Sequence, residues 1–288
     1  MFYFFRIKDT DGGHMIRKII FLLVICVVTS FKPKDILWTA IGDSITYLNE
    51  HADETGSRIT KGYMTLVTEK LPNIHYRNQG HNGWTSGEIA KEFDSLNVEK
   101  SDVYSVFLGT NDWWRGRPLG SMNDYKNNTG NETVNGSFRI IVDKLRALNP
   151  NASIIMITPM QRVDFISMGN MKNNAYGSYK EKNGQSLEQF AKAIDSISEY
   201  ENFDLVDLYH TKGLEHKHLV KYKRLKEPGK NAYKNYKYPD FIDIPFNPET
   251  DEYPYPKDAI EMTYDGLHPS DKGYQIIARK LIKVMKKL

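Results

Sequence analysis

The chain is poor in cysteine: Cys26 is the only one in 288 residues. An intrachain disulfide and a cysteine-rich metal site are therefore excluded. It also lacks an excess of charge of one sign, since 39 Lys and Arg stand against 36 Asp and Glu, a net +3. A nucleic-acid binder usually carries a clustered basic face, so no nucleic-acid partner is expected. Long hydrophobic runs are missing too. The run Ile19–Val28 (IIFLLVICVV) is about half the roughly 20 residues a spanning helix needs. There is no internal repeat. With 40% hydrophobic and 26% charged residues, the composition excludes a disordered chain, a collagen-like chain and a multi-span membrane protein. The length suits one large domain or two small ones. Aromatic residues, by contrast, are abundant, led by 18 Tyr.

The short apolar run has Arg17 and Lys18 before it and Thr29-Ser30 after it. A positive flank followed by an apolar core of about ten residues has the form of a secretory signal peptide. Residues 15–30 are read as that signal, residues 1–14 as an upstream extension, and residues 31–288 as the mature domain. A secreted or periplasmic protein without cysteine is the expectation. A buried first strand or an uncleaved anchor is the simpler alternative for this run, and because Cys26 follows Leu23-Val24-Ile25, with Ile25 where a small residue belongs, a lipid anchor is a lesser one.

Beyond it, short apolar runs alternate with amphipathic stretches. Ile36–Ile41, Val103–Leu108 and Ile154–Thr158 read as buried strands, and Ile74–Tyr76 and Phe203–Val206 as weaker ones. Thr85-x-x-Glu88 and Ser186-x-x-Gln189 are capping boxes that open helices. Phe138, Ile141, Val142, Leu145 and Leu148 keep helical spacing up to Asn149-Pro150. A last helix opens at Pro269-Ser270 and buries Tyr274, Ile277, Leu281 and Val284. Strands separated by helices imply a parallel sheet covered on both faces, with chemistry at the strands' carboxyl ends. The segment at about 212–262 breaks the pattern. It is Lys- and Tyr-rich, then Pro-, Asp- and Glu-rich, and reads as an insertion that folds on itself or over the domain, as a lid or binding loop would.

Four motifs fall just past a strand or at a helix start. Gly42-Asp43-Ser44-Ile45 follows the first strand, where a serine at a strand-to-helix turn can expose its hydroxyl; a plain helix cap is the simpler reading. Asp265-Gly266-Leu267-His268-Pro269 places a carboxylate three residues from an imidazole. The carboxylate can hold Nδ1–H while Nε2 faces outward as a base. Gly109-Thr110-Asn111-Asp112 follows the third strand, and its Asn can aim an amide at an oxyanion. Asn78–Thr85 (NQGHNGWT) offers glycine backbone N–H groups that no side chain screens, but it lacks the spacing of a phosphate or dinucleotide loop. Together they supply a nucleophile, a base, an orienter and oxyanion donors.

In that order the motifs resemble the SGNH (GDSL) hydrolases, over the chain from about Ile36 onward, with the 212–262 stretch fitting less well. The resemblance implies a flavodoxin-like three-layer α/β/α sandwich on a five-stranded parallel sheet. It also implies Ser44 as nucleophile, His268 as base and Asp265 as its partner. The Ser44 N–H, the Gly83 N–H and the Asn111 amide would form the oxyanion hole. Gly80 is a rival to Gly83, but the spacing to Thr85 favours Gly83. The mechanism would be two-step acyl transfer needing neither metal nor organic cofactor.

Trp113, Trp114 and Arg115 follow Asn111 closely, and with Trp84 they are the expected substrate-binding residues, Tyr63, Tyr176 and Tyr179 adding to the rim. Aromatic faces suit sugar rings, and Arg suits a carboxylate or ring hydroxyls; equally, one Trp packs into the core and the Arg residues are solvated. With no long apolar lid in sight, a small acyl group on carbohydrate, acetyl above all, is the expected substrate. A lipid-directed esterase and a non-catalytic carbohydrate-binding protein are the alternatives. His210, His216 and His218 lack the companions that would complete a metal site, so no metal is expected.

Overall fold

The computed structural model describes residues 34–288. The expected signal segment, residues 15–30, lies outside them. All five expected strands form: β1 (Ile36–Gly42), β2 (Ile74–Gly80), β3 (Val103–Phe107), β4 (Ser153–Ile157) and, after two short strands, β7 (Asp204–Val206). They make one parallel sheet in the order β2-β1-β3-β4-β7. The short strands β5 (Phe165–Ile166) and β6 (Asn174–Ala175) pair antiparallel as a separate hairpin.

The sheet is apolar on both faces because β1, β3 and β4 are largely apolar at both phases of the two-residue period. Trp38, Ala40, Val103, Phe107, Ile155 and Ile157 pack on one side. Ile41, Tyr104, Val106, Ile154 and Met156 pack on the other. Helices cover each face. After α1 (Ser44–Tyr47) come α2 (Tyr63–Lys70), α3 (Ser86–Glu92), α4 (Thr110–Trp114), α5 (Met122–Lys126), α6 (Val134–Leu148), α7 (Leu187–Glu201), α8 (His216–Leu219) and α9 (Asp271–Met285). Buried side chains of α2 and α9 join the first face, and those of α3, α6 and α7 the second. The result is the expected three-layer α/β/α sandwich with flavodoxin-like strand order.

Local signals set the helix starts. Thr85 and Ser186 close capping boxes with Glu88 and Gln189, and Ser270 caps α9 by accepting from Gly273 N–H. The segment at about 212–262 folds on itself through the hairpin β8 (Lys223–Lys226) and β9 (Tyr233–Tyr236). It also packs on the domain: Leu219, Val220, Leu225, Phe241 and Tyr255 are buried with the first face of the sheet.

Strand order reverses between β1 and β3, because the chain leaves β1 for β2 on one side and returns to β3 on the other. The crevice outside the carboxyl ends at such a reversal is where open α/β sheets bind ligands. Ser44 lies just past β1 and Asn111 just past β3, so these two residues flank it.

Candidate active site

Gly42 ends β1 and lets α1 approach the sheet: a Cβ there would meet Thr46 Oγ1 at 2.1 Å and the Phe107 carbonyl at 3.1 Å. Asp43 then caps α1, its Oδ1 accepting from Ile45 N–H at 3.0 Å. This puts Ser44 at the first helical position. Tyr274 of α9 donates to the Ile45 carbonyl at 2.9 Å, and Thr46 Oγ1 pairs with the Tyr63 hydroxyl at 2.9 Å, so both helices of this layer hold the turn.

Before α9 the chain doubles back. Asp265 Oδ1 accepts from Leu267 N–H at 3.0 Å and His268 N–H at 2.8 Å. Its Oδ2 lies 2.6 Å from His268 Nδ1, and His268 Nε2 lies 2.8 Å from Ser44 Oγ. The imidazole stacks on Tyr264 and meets the edge of Phe165, which fixes its plane. The three residues therefore form one continuous hydrogen-bond chain from buried carboxylate to hydroxyl.

Gly83 has φ +73°, the left-handed region that favours glycine. Among the described residues neither Ser44 N–H nor Gly83 N–H has an acceptor. Asn111 Nδ2 donates to the Trp84 carbonyl at 3.0 Å and, at a long 3.4 Å, to Asp43 Oδ2. Ser44, Gly83 and Asn111 line one cleft of about 490 Å³ with Asp265 and His268. Gly80 instead ends β2 beside Gly42.

The expected substrate residues divide. Trp114 and Arg115 line the cleft. Arg115 holds the Gly83 loop, donating to the Gly83 carbonyl at 2.6 Å and to Glu88 Oε1 at 2.9 Å. Trp113 departs from the expectation: it is 0% exposed and donates to the Gln185 carbonyl, because α4 turns one of its two adjacent indoles inward. Trp84 is half-buried, stacks on His81 and lies outside the cleft lining. Tyr63 is fully buried, Tyr176 packs edge-on against Trp114, and Tyr179 donates to Asp164. No residue of the 212–262 segment lines this cleft, so its apolar side chains add no wall to it.

Two features carry no sequence motif. The β5–β6 hairpin supplies one cleft wall through Phe165, Ser167, Met168, Gly169, Asn173 and Ala175, and Arg162 lines the cleft although it is only 1% exposed. Burial pushes Asp43 up to about 6, and raises Asp112 as well. His216 reaches Ser178 Oγ at 2.7 Å, and burial lowers its pKa to about 4. Among the described residues no group of three or more His, Cys, Asp and Glu could hold a metal ion, and no helix is long and apolar enough to cross a membrane.

A parallel α/β/α sandwich with a Ser–His–Asp chain at its strand reversal has the form of a serine hydrolase. The family model of the GDSL-like lipase/acylhydrolases matches residues 40–276, and the chain belongs to that family as an SGNH-type serine esterase. It is 60% identical to a solved structure described as a possible lipase from Chitinophaga pinensis, covering 88% of this chain and 98% of that one at a TM-score of 0.87. A Lactobacillus plantarum protein is 19% identical with a TM-score of 0.59, over 89% of this chain and 99% of that one. An acetyl-xylooligosaccharide esterase variant from Geobacillus stearothermophilus is 18% identical with a TM-score of 0.50, over 88% of this chain and 94% of that one. These two share the fold. No curated protein matches.

Proposed function

We propose that the protein removes small acyl groups, acetyl above all, from carbohydrate, with Ser44 as nucleophile. The observation that carries the chemistry is the 2.8 Å contact between His268 Nε2 and Ser44 Oγ, backed by Asp265. His268 takes the hydroxyl proton as Oγ attacks the ester carbonyl. The oxyanion is held by Ser44 N–H, Gly83 N–H and the Asn111 N–H that now spans the long contact to Asp43. The tetrahedral intermediate collapses, the alcohol leaves with the proton from His268, and an acyl–Ser44 ester remains. Water, deprotonated by the same imidazole, attacks that ester and frees the acid and Ser44.

The cleft's composition supports the carbohydrate reading. Asn82, Asn173 and Arg115 offer hydrogen bonds and Trp114 an aromatic face. The aliphatic residues of the 212–262 segment are spent in the core. A secreted location accords with this substrate and with the apolar run Ile19–Val28. Leu48, Met168 and Leu267 also line the cleft and favour a second reading, a lipid-directed esterase, which the description of the Chitinophaga relative echoes. Each buried methylene is worth about 0.8 kcal/mol, so an acyl tunnel makes activity climb with chain length. A p-nitrophenyl ester series decides between them. Acetate should exceed octanoate at least tenfold in kcat/KM; activity rising from two carbons to eight would establish the lipid reading.

A further inference from the structure

Arg162 sits at the carboxyl end of the sheet, five residues past β4, and lines the same cleft as Ser44. Its backbone is fixed on both sides by Ser178, whose Oγ accepts from Arg162 N–H at 3.0 Å and whose N–H donates to the Arg162 carbonyl at 2.8 Å. The guanidinium lies 5.5 Å from the ring centres of both Trp113 and Trp114. Among the described residues its Nε and Nη2 have no hydrogen-bond partner. A cation with open donors at 1% exposure is costly, because such groups are normally paired when they leave water.

The carboxylates around it are committed elsewhere. Asp164 Oδ2 takes Lys223 Nζ at 2.6 Å, and its Oδ1 accepts from Gly177 N–H and the Tyr179 hydroxyl. Both oxygens of Asp265 are occupied by His268 and Leu267. Glu54, the other acid of the cleft, accepts from the Tyr47 hydroxyl at 2.8 Å. Burial lowers the Arg162 pKa to about 10, which leaves it charged at neutral pH. Lys182 Nζ, 4.5 Å from the Trp114 ring, adds a further cation on that side.

We propose that Arg162 is the anion subsite of the cleft, binding through its fork of open donors a carboxylate on the sugar whose ring lies against Trp114. The substrate class is then an acylated acidic sugar, such as a uronic acid. This deepens the reading of the cleft as a carbohydrate esterase site and rests on it. A planar guanidinium matches a carboxylate with two parallel hydrogen bonds, which a sugar hydroxyl cannot offer. The two indoles, whose ring centres lie 6.2 Å apart, pack against the cation from one side and hold it in place.

Binding can be read without catalysis. Methyl glucuronide and methyl glucoside are titrated into the whole protein by calorimetry and tryptophan emission, and p-nitrophenyl acetate hydrolysis is measured separately. The glucuronide should bind at least tenfold more tightly than the glucoside. Arg162→Gln should bring the ratio near one. Arg162→Lys, which keeps the charge and loses the fork, should lower it at least threefold. Equal binding by the wild-type protein would overturn the proposal, as would a preference that survives in either variant. If the ratio holds while p-nitrophenyl acetate goes unhydrolysed, the esterase reading fails and the anion subsite stands. If the ester is hydrolysed and the ratio is one, the subsite fails and the esterase stands.

Discussion

The carboxylate of Asp112 anchors Ser86. Its Oδ2 accepts from Ser86 N–H at 2.9 Å and its Oδ1 from Ser86 Oγ at 2.7 Å, while the Arg117 guanidinium lies 3.3 Å away. Ser86 opens α3, three residues after Gly83, so the turn leaving β3 holds the loop that carries the candidate oxyanion donor. Asp112→Ala strips the partner from two buried donors and an arginine. It should lower stability by about 1–3 kcal/mol, with kcat falling as the Gly83 loop loosens. An unchanged melting temperature would show that Asp112 does not anchor the loop.

Asp43 is 1% exposed, and burial pushes its pKa up from 3.8 to about 6. The folded protein therefore holds this proton more tightly than the unfolded chain. Its contribution to stability is full below pH 3.8 and is lost as pH rises through about 6; above that the buried carboxylate costs ~3 kcal/mol. Asp43→Asn keeps an oxygen for Ile45 N–H and removes the charge. Denaturant melts should show the variant gaining on the wild type at pH 7.5 relative to pH 4. An equal difference at both pH values would contradict the assignment.

Lys223 in β8 is 2% exposed and pairs with Asp164, just before β5. Burial raises the Asp164 pKa, but Lys223, Tyr179 and Gly177 N–H outweigh it and leave the carboxyl below its ordinary value. The pair's contribution is thus present above the unfolded carboxylate's pKa and lost as pH falls through the folded one. Lys223→Met leaves an uncompensated buried carboxylate and should destabilise by about 3–5 kcal/mol at pH 7. A loss under 1 kcal/mol by urea unfolding would mean that the 212–262 segment is not tied to the domain here.

Asn111→Ala should lower kcat roughly 10²–10³-fold with KM nearly unchanged, since its amide would meet charge that exists only in the transition state. Steady-state kinetics on p-nitrophenyl acetate reads this. A large rise in KM with kcat unchanged would make Asn111 a substrate-binding residue.

The strands were legible because apolar runs two-faced in a parallel sheet are conspicuous, and Ser44, Asn111 and His268 because each sits in a short motif beside a strand or helix start. Trp113 and Trp114 are adjacent and chemically alike, so only the direction in which α4 faces the core separates the buried one from the one in the cleft. Arg162 belongs to no motif; only the fold brings it beside the Trp113 and Trp114 indoles and into the cleft. The strands of the β5–β6 hairpin are two residues each, too short for periodicity to show. The 212–262 segment read as polar because its core contacts, Leu219, Leu225 and Phe241, are scattered between Lys and Tyr.

The central claim is that Ser44 is the nucleophile. A fluorophosphonate probe followed by peptide mass spectrometry tests it most directly, with the Ser44→Ala variant as control. One adduct is expected, on Ser44, with parallel loss of turnover, and a folded Ser44→Ala protein that neither labels nor hydrolyses p-nitrophenyl acetate. An adduct on another residue, with Ser44→Ala retaining full activity, would contradict it.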